Sequence, residues 1–320
     1  MKAIIYEKYG TPDVIELRAT EKPTPKDHQV LIQVQAASVN AYDWHFLTAD
    51  IFVVRLSAGW LKPKNNRLGA DVAGRVEAVG KAVTQFQVGD EVFGMANGSF
   101  AEYVCAAEKS IAQKPRNASF GEASAIPMAG VTALQALRDA GQIQAGQKVL
   151  VNGASGGVGT FAVQIAKLFG AHVTAVCSAR NVAQARSLGA DEVIDYTQQD
   201  FTHSPERYDL ILAANGYHPL SAYKRALTAK GIYAMVGGTP AQIFQPLLLG
   251  KFYSEPKGRQ LKAVMTENRQ SDLIFLAEQF NAGKLKAVID KEYTLEQTAD
   301  ALRYLGAGHA QGKVVIQVGE

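Results

Sequence analysis

The sequence predicts an α/β chain made of two lobes, one β-rich and one built on a doubly wound parallel sheet. Three observations carry this. At 320 residues the chain is longer than one hydrophobic core usually serves. From the start to AEYVCA it offers short β-rich segments broken by Pro, Gly and Asp. From about Phe120 onward apolar strands alternate with helical stretches, the pattern of βαβ units.

In chain order, the β-rich part reads KAIIYE, QVLIQVQAASV, VAGRVEAVG and AEYVCA. The alternating part reads KVLVNG, TFAVQIAKLFG, HVTAVCS, NVAQARSLG, EVIDY, DLILAA, YKRALTAKG and IYAMVGG. Several of its strands are nearly continuous apolar runs, as expected where helices cover both faces of a sheet. LKAVMT adds a strand, and SDLIFLAEQFNAG a helix ending at Gly283. The tail, LKAVIDKEYT, a helix TLEQTADALRYL opened by Thr294 and Glu296, and KVVIQV, does not extend the alternation and is assigned back to the first lobe. The expected boundaries are residues 1–119, 120–282 and 283–320.

Composition narrows the function classes. Hydrophobic residues at 47% and charged residues at 20% exclude a disordered chain. No apolar run approaches the roughly 18 residues of a membrane helix. The +3 charge comes from 33 basic and 30 acidic residues without a Lys/Arg block, so no nucleic-acid partner is expected. MKAIIYEKYG lacks the apolar stretch of a secretion signal, and Cys105 and Cys177 alone cannot build a disulfide framework, so a cytoplasmic location is expected.

VNGASGGVGT lies between the apolar strand KVLV and the amphipathic TFAVQIAKLFG. A strand turning sharply into a helix through glycines is the dinucleotide-binding arrangement of a Rossmann sheet. Gly156 and Gly159 have the spacing of the second and third fingerprint glycines, with Ala154 at the first. Ser155, Gly156, Gly157 and Val158 are the candidate pyrophosphate contacts, because the helix N-terminus presents free N–H groups to an anion. About 20 residues beyond such a loop, NADH enzymes carry a carboxylate for the ribose hydroxyls. Here HVTAVCSARN offers Ser178 and Arg180 instead, a hydroxyl and a guanidinium that suit a 2′-phosphate. The expected cofactor is NADPH; the competing role for Arg180 is a solvated helix-end charge. Asn215 and Gly237 close successive strands at the carboxyl edge, where the ligand crevice of such a sheet lies.

With these motifs in place the chain resembles the medium-chain dehydrogenase/reductase superfamily over nearly its whole length. AASVNAYDW, LGADVAG, IPMAGVTALQAL and NGASGGVG resemble its quinone oxidoreductase branch, which has zeta-crystallin-like and enone reductase members. VRLSAGWLKPKNNRLGADVAG resembles the subgroup that includes the chloroplast envelope quinone oxidoreductase homologue and reticulon-4-interacting protein. The resemblance implies a GroES-like catalytic lobe beside the Rossmann lobe. Zinc members carry a Cys where this chain has Asn40 and a His-Glu pair where it has Ala70 and Asp71, so no metal is expected. It also implies that Asn40 lies near nicotinamide and substrate, that Thr132 and Lys313 contact the cofactor, and that Tyr196 lies at the adenosine phosphate end.

Without a Lewis acid, simple alcohols and ketones are poor substrates. Quinones and α,β-unsaturated carbonyls spread developing charge through their own π system and need mainly positioning. Asn40, Tyr42 and His45 are the candidate catalytic residues, as possible hydrogen-bond donors to the acceptor oxygen. Their competing roles are a turn cap, a core side chain and a surface side chain. Asp43 is read as structural, and residues 47–67 as a substrate-side flap in preference to a membrane-surface contact. The expected activity is hydride transfer from NADPH to a quinone or enone, in a homodimer joined through LKAVMT. The alternatives are an NADPH-binding structural or regulatory protein and an enoyl-thioester reductase.

Overall fold

The computed structural model describes residues 1–238 and 240–319, and its contacts divide the chain into two compact units, Met1–Met128 with Asn268–Glu320, and Ala129–Glu267. In the first unit β1 (Lys2–Tyr6) pairs antiparallel with β2 (Ile15–Ala19). The long strand β3 (Gln29–Val39) leads into α1 (Ala41–Thr48) and α2 (Phe52–Ala58). β4 (Asp71–Val79), β5 (Glu91–Met95), β6 (Tyr103–Ala107), β7 (Ile111–Gln113) and α3 (Phe120–Ala125) follow, the last opened by a reciprocal Ser119/Glu122 capping box.

The second unit runs through α4 (Pro127–Gln135), whose first two residues belong to the first unit, β8 (Lys148–Asn152), α5 (Gly157–Leu168), β9 (His172–Cys177), α6 (Val182–Ser187) and β10 (Glu192–Asp195). It continues with β11 (Tyr208–Ala213), α7 (Leu220–Ala226), β12 (Leu227–Met235), α8 (Pro240–Tyr253) and β13 (Gln260–Ala263). The chain then returns to the first unit with α9 (Gln270–Asn281), β14 (Ile289–Thr294), α10 (Thr298–Gly306) and β15 (Lys313–Gln317).

The sheet of the second unit is wholly parallel, in the order β10-β9-β8-β11-β12-β13. β8 is the first strand in sequence and stands mid-sheet, so the connections leave it in opposite directions and open a crevice at its carboxyl end. Val149–Val151 and Leu210–Ala213 are fully buried, as the apolar runs required. The predicted α/β class is the observed one.

In the first unit the order is β14-β15-β3-β4-β5-β7, with β6 also paired to β3. Ser38 lies opposite Asp71 of β4 on one side and Val315 of β15 on the other. This register brings the end of β3, the start of β4 and the start of β15 to one point, which is where the polar cluster described below forms. Among the described residues no helix is long and apolar enough to cross a membrane.

Four elements differ from the sequence reading. YKRALTAKG is not one helix: α7 ends at Ala226, and Leu227 starts β12, held by parallel pairing with β11 and full burial of Leu227. LKAVMT contributes only its first residues to β13. Thr294 caps the short 3-10 turn Leu295–Gln297 that leads into α10, in a reciprocal capping box with Gln297, and α10 itself starts only at Thr298. α8 escaped notice because Pro246 interrupts its pattern.

Candidate active site

In the second unit the glycine loop occupies residues 153–156, between β8 and α5, with Gly156 at the helix N-cap. A Cβ on Gly159 would lie 2.1 Å from the carbonyl oxygen of Gly153 and 2.7 Å from Cα of Ala154, so only glycine lets α5 approach its strand this closely. A Cβ on Gly156 would meet nothing nearer than 3.7 Å, which leaves the outer face of the loop open to an approaching group. The N–H groups of the first turn have no intrahelical acceptors and favour an anion. The cradle therefore fits a pyrophosphate.

Five other candidate cofactor residues lie at the same carboxyl edge. Ser178 and Arg180 follow β9, and Asn181 Nδ2 donates to Ser178 Oγ at 3.2 Å. Tyr196, largely exposed, follows β10, and its N–H donates to the carbonyl of Cys177 at 3.1 Å, which places it beside the end of β9. Asn215 follows β11 and Gly237 follows β12. Thr132, on α4, is buried and shares a 2.8 Å hydrogen bond with the hydroxyl of Thr266. Sequence reasoning passed over Asn152 and Tyr223: Asn152 Nδ2 donates to the carbonyl of Gly216 at 2.8 Å and to Tyr223 Oη at 2.9 Å, and Tyr223 donates to the same carbonyl at 2.8 Å. A polar residue closing an otherwise apolar strand was the available signal.

In the first unit the register of β3, β4 and β15 assembles Ser38, Asn40, Asp71 and Lys313, all buried. Lys313 Nζ donates to Asn40 Oδ1 at 2.5 Å, to the carbonyl of Val39 at 3.3 Å and to Asp71 Oδ2 at 3.4 Å. Asn40 Nδ2 donates to the carbonyl of Ser38 at 3.2 Å and to Asp71 Oδ2 at 3.0 Å. Ser38 Oγ adds a bond to Asp71 Oδ2, and the Met128 N–H one to Asp71 Oδ1. Both amide hydrogens of Asn40 are thus committed to the protein, and its carboxamide is locked in one orientation. Burial lowers the Lys313 ammonium pKa, opposed by the Asp71 and Asp43 carboxyl groups.

Asp43 holds the backbone here: its Oδ2 accepts from the N–H of Asn40 at 2.8 Å and its Oδ1 from that of Gly69 at 3.1 Å. Gly69 has φ +99°, and a Cβ there would strike Ser99 Oγ at 2.4 Å. Burial pushes the Asp43 carboxyl up to about 7, opposed by those two N–H bonds.

Of the three candidate catalytic residues, Asn40 is in this cluster. His45 pairs through Nδ1 with Asp50 Oδ1 at 2.8 Å. Tyr42 is partly exposed and stacks on Phe46 with ring centroids 4.1 Å apart. Tyr42 and Phe46, with Tyr6, Asp43, Lys64 and Arg67, line a cavity of about 200 Å³ contained in the first unit. Residues 47–67 contribute α2 and the loop that closes one side of it.

A catalytic zinc does not fit this donor set. At the three expected ligand positions stand an amide, a methyl group and a carboxylate that already accepts from an ammonium. Among the described residues no three His, Cys, Asp or Glu side chains gather around a common point.

Glycine cradle, doubly wound sheet and β-rich unit together define a dinucleotide-binding oxidoreductase. Residues 26–116 match the alcohol dehydrogenase GroES-like domain, and residues 188–316 the zinc-binding dehydrogenase family. The chain is 34% identical to the chloroplast envelope quinone oxidoreductase homolog of Arabidopsis thaliana, over 99% of this chain and 98% of that protein. It is 33% identical to the chloroplastic NADPH-dependent alkenal/one oxidoreductase of the same plant, over 99% of this chain and 79% of that one. The solved quinone oxidoreductase from Coxiella burnetii superposes with a TM-score of 0.88 at 30% identity, covering 99% of each chain. The chain belongs to the medium-chain dehydrogenase/reductase family, in its quinone oxidoreductase branch.

Proposed function

We propose that this protein reduces quinones or α,β-unsaturated carbonyls with NADPH and without a metal. The observation that carries the reading is the Lys313–Asn40–Asp71 cluster, a closed hydrogen-bonded set that ties up two of the three positions where zinc members hold their ion. Relatives named as quinone and as NADPH-dependent alkenal/one oxidoreductases support the same acceptor classes and cofactor.

Bound NADPH supplies the hydride. The N–H groups at the start of α5, with Ser155, Gly156, Gly157 and Val158, would hold its pyrophosphate. Ser178 and Arg180 would take the 2′-phosphate, Tyr196 the adenosine end, and Thr132, Asn215 and Gly237 the remainder of the crevice. Lys313 and Asp71 keep the Asn40 carboxamide from rotating, so its role is to shape and orient rather than to give up a hydrogen bond. Tyr42, whose hydroxyl has no partner among the described residues, is the group we place at the acceptor oxygen, where a hydrogen bond strengthens as charge develops. We also propose a homodimer through β13, the outer strand of the second unit's sheet, beside which Leu247, Leu248 and Phe252 of α8 are exposed.

The test is cofactor oxidation by protein treated with a chelator, given NADPH or NADH and a panel of 1,4-benzoquinone, 9,10-phenanthrenequinone, ethyl vinyl ketone and crotonyl thioester. NADPH-selective turnover of quinone or vinyl ketone is the expected result. Tight NADPH binding with no turnover would instead support the regulatory reading, and selective use of the thioester the enoyl-thioester one.

A further inference from the structure

The cavity in the first unit carries more recognition chemistry than a bare quinone or enone would use. We propose that it is an anion-accepting subsite, so that the acceptors are planar conjugated carbonyls bearing a carboxylate, sulfonate or similar acidic group. This rests on the reductase reading above, and it names the substrate class of that site.

Four observations converge on it. Lys64 and Arg67 both line the cavity, and neither makes an ion pair with any carboxylate among the described residues. Some exposed cations of the same unit are paired, as Arg18 is with Glu7 and Glu16, and others such as Lys8, Lys26 and Lys62 are not, so what sets Lys64 and Arg67 apart is that two unpaired cations line one cavity. The second observation is Tyr6, which is only 2% exposed yet lines the cavity, with a hydroxyl that has no hydrogen-bond partner among the described residues. The ring is buried while the hydroxyl oxygen keeps solvent contact, so the O–H is available to an acceptor on a ligand in the cavity. Third, the only acid among the described lining residues, Asp43, has its oxygens engaged by the N–H groups of Asn40 and Gly69 and forms no ion pair with either cation. Fourth, the stacked rings of Tyr42 and Phe46 offer a flat wall of the kind a conjugated ring packs against.

Together these give a ligand an aromatic wall for its ring, a phenol O–H to donate, and two positive groups for its acidic substituent. A guanidinium with an ammonium is the pairing that carboxylates and sulfonates recruit. The loop that carries both cations is tied back to α2 through the Lys64 N–H, which donates to the carbonyl of Ala58 at 2.7 Å, so their backbone is held in place beside the cavity.

The subsite is tested by calorimetry with naphthalene-2-sulfonate and its neutral counterpart naphthalene-2-sulfonamide, neither of which needs cofactor or turnover. The protein should bind the sulfonate at least about tenfold more tightly, the scale of one charge-assisted contact. The Lys64→Gln/Arg67→Gln double variant should lose that preference, and Tyr6→Phe should weaken both ligands. Lys64 is exposed, so Lys64→Gln alone keeps the test valid if replacing Arg67 impairs folding. Equal binding of the two compounds, or a preference that survives in the variants, overturns the proposal. Parallel kinetics with NADPH and 1,4-naphthoquinone, with or without a 2-sulfonate, separate it from the reductase reading. Sulfonate preference without turnover of either quinone leaves the subsite standing and removes the activity. Turnover of both with equal kcat/KM does the reverse.

Discussion

The ammonium of Lys313 donates to Asn40 Oδ1 at 2.5 Å, across 273 positions of sequence. The contact joins the start of the last strand to the end of the central one, and the Asp71 carboxylate is shared by both residues. Removing the lysine leaves a fully buried carboxylate without its cation. Lys313→Met is therefore expected to cost about 3–5 kcal/mol of stability, measured by urea unfolding. Adding Asp71→Asn should recover part of that loss; no recovery would show that the lysine acts by packing alone.

Asp43 makes stability depend on pH. In the unfolded chain its carboxyl titrates near its ordinary value of 3.8, while burial in the folded protein raises it to about 7. Between those values the folded state holds a proton that the unfolded state has released, so stability falls as pH rises through the window. Asp43→Asn should flatten that part of the stability–pH curve, even though it lowers stability overall. An unchanged slope would assign the dependence to another group.

Gly159→Ala places a methyl group within 2.1 Å of the Gly153 carbonyl oxygen. The helix must move from its strand, so dinucleotide affinity should fall by more than tenfold and the melting temperature should drop. Titration of NADPH fluorescence and a thermal scan report the two effects separately.

Tyr223→Phe removes the hydroxyl that joins Asn152 to the Gly216 carbonyl. Loss of these bonds should cost about 1–2 kcal/mol. Because they hold the loop after β11, the dissociation constant for NADPH should also rise several-fold. A stability loss with unaltered NADPH binding would confine the network to folding.

Arg180→Ala should weaken NADPH about tenfold or more and NADH far less, since only the former offers a phosphate to a guanidinium at this position. Dissociation constants for both cofactors decide the point, and equal losses would remove the assignment.

Much of the second unit was legible because its information is local. The apolar runs KVLV and DLILAA, the glycine loop between strand and helix, and the helical spacing of TFAVQIAKLFG each act within a few residues of themselves. Where propensity and tertiary pairing compete the reading failed, as in YKRALTAKG, whose helical composition is overridden at Leu227 by pairing with β11. The motif positions of Asn40 and Asp43 could be read, but their partners could not. The sequence showed Asp71 only as a poor metal ligand, whereas in the fold it is the hub that receives Ser38, Asn40, Lys313 and the Met128 N–H.

The sequence by itself determined the fold class, the place of the dinucleotide cradle and the family resemblance, because strand and helix periodicity and the sterics of a glycine turn are properties of short segments. The tertiary structure alone decided that Asn40 is a fully bonded positioning group, that Asp43 bridges Asn40 to Gly69, and that Tyr6, Lys64 and Arg67 face one cavity. Those outcomes depend on strand register, which brings residues far apart in the chain within 3 Å or so of one another, and on burial, which sets the cost of leaving any of them unpaired.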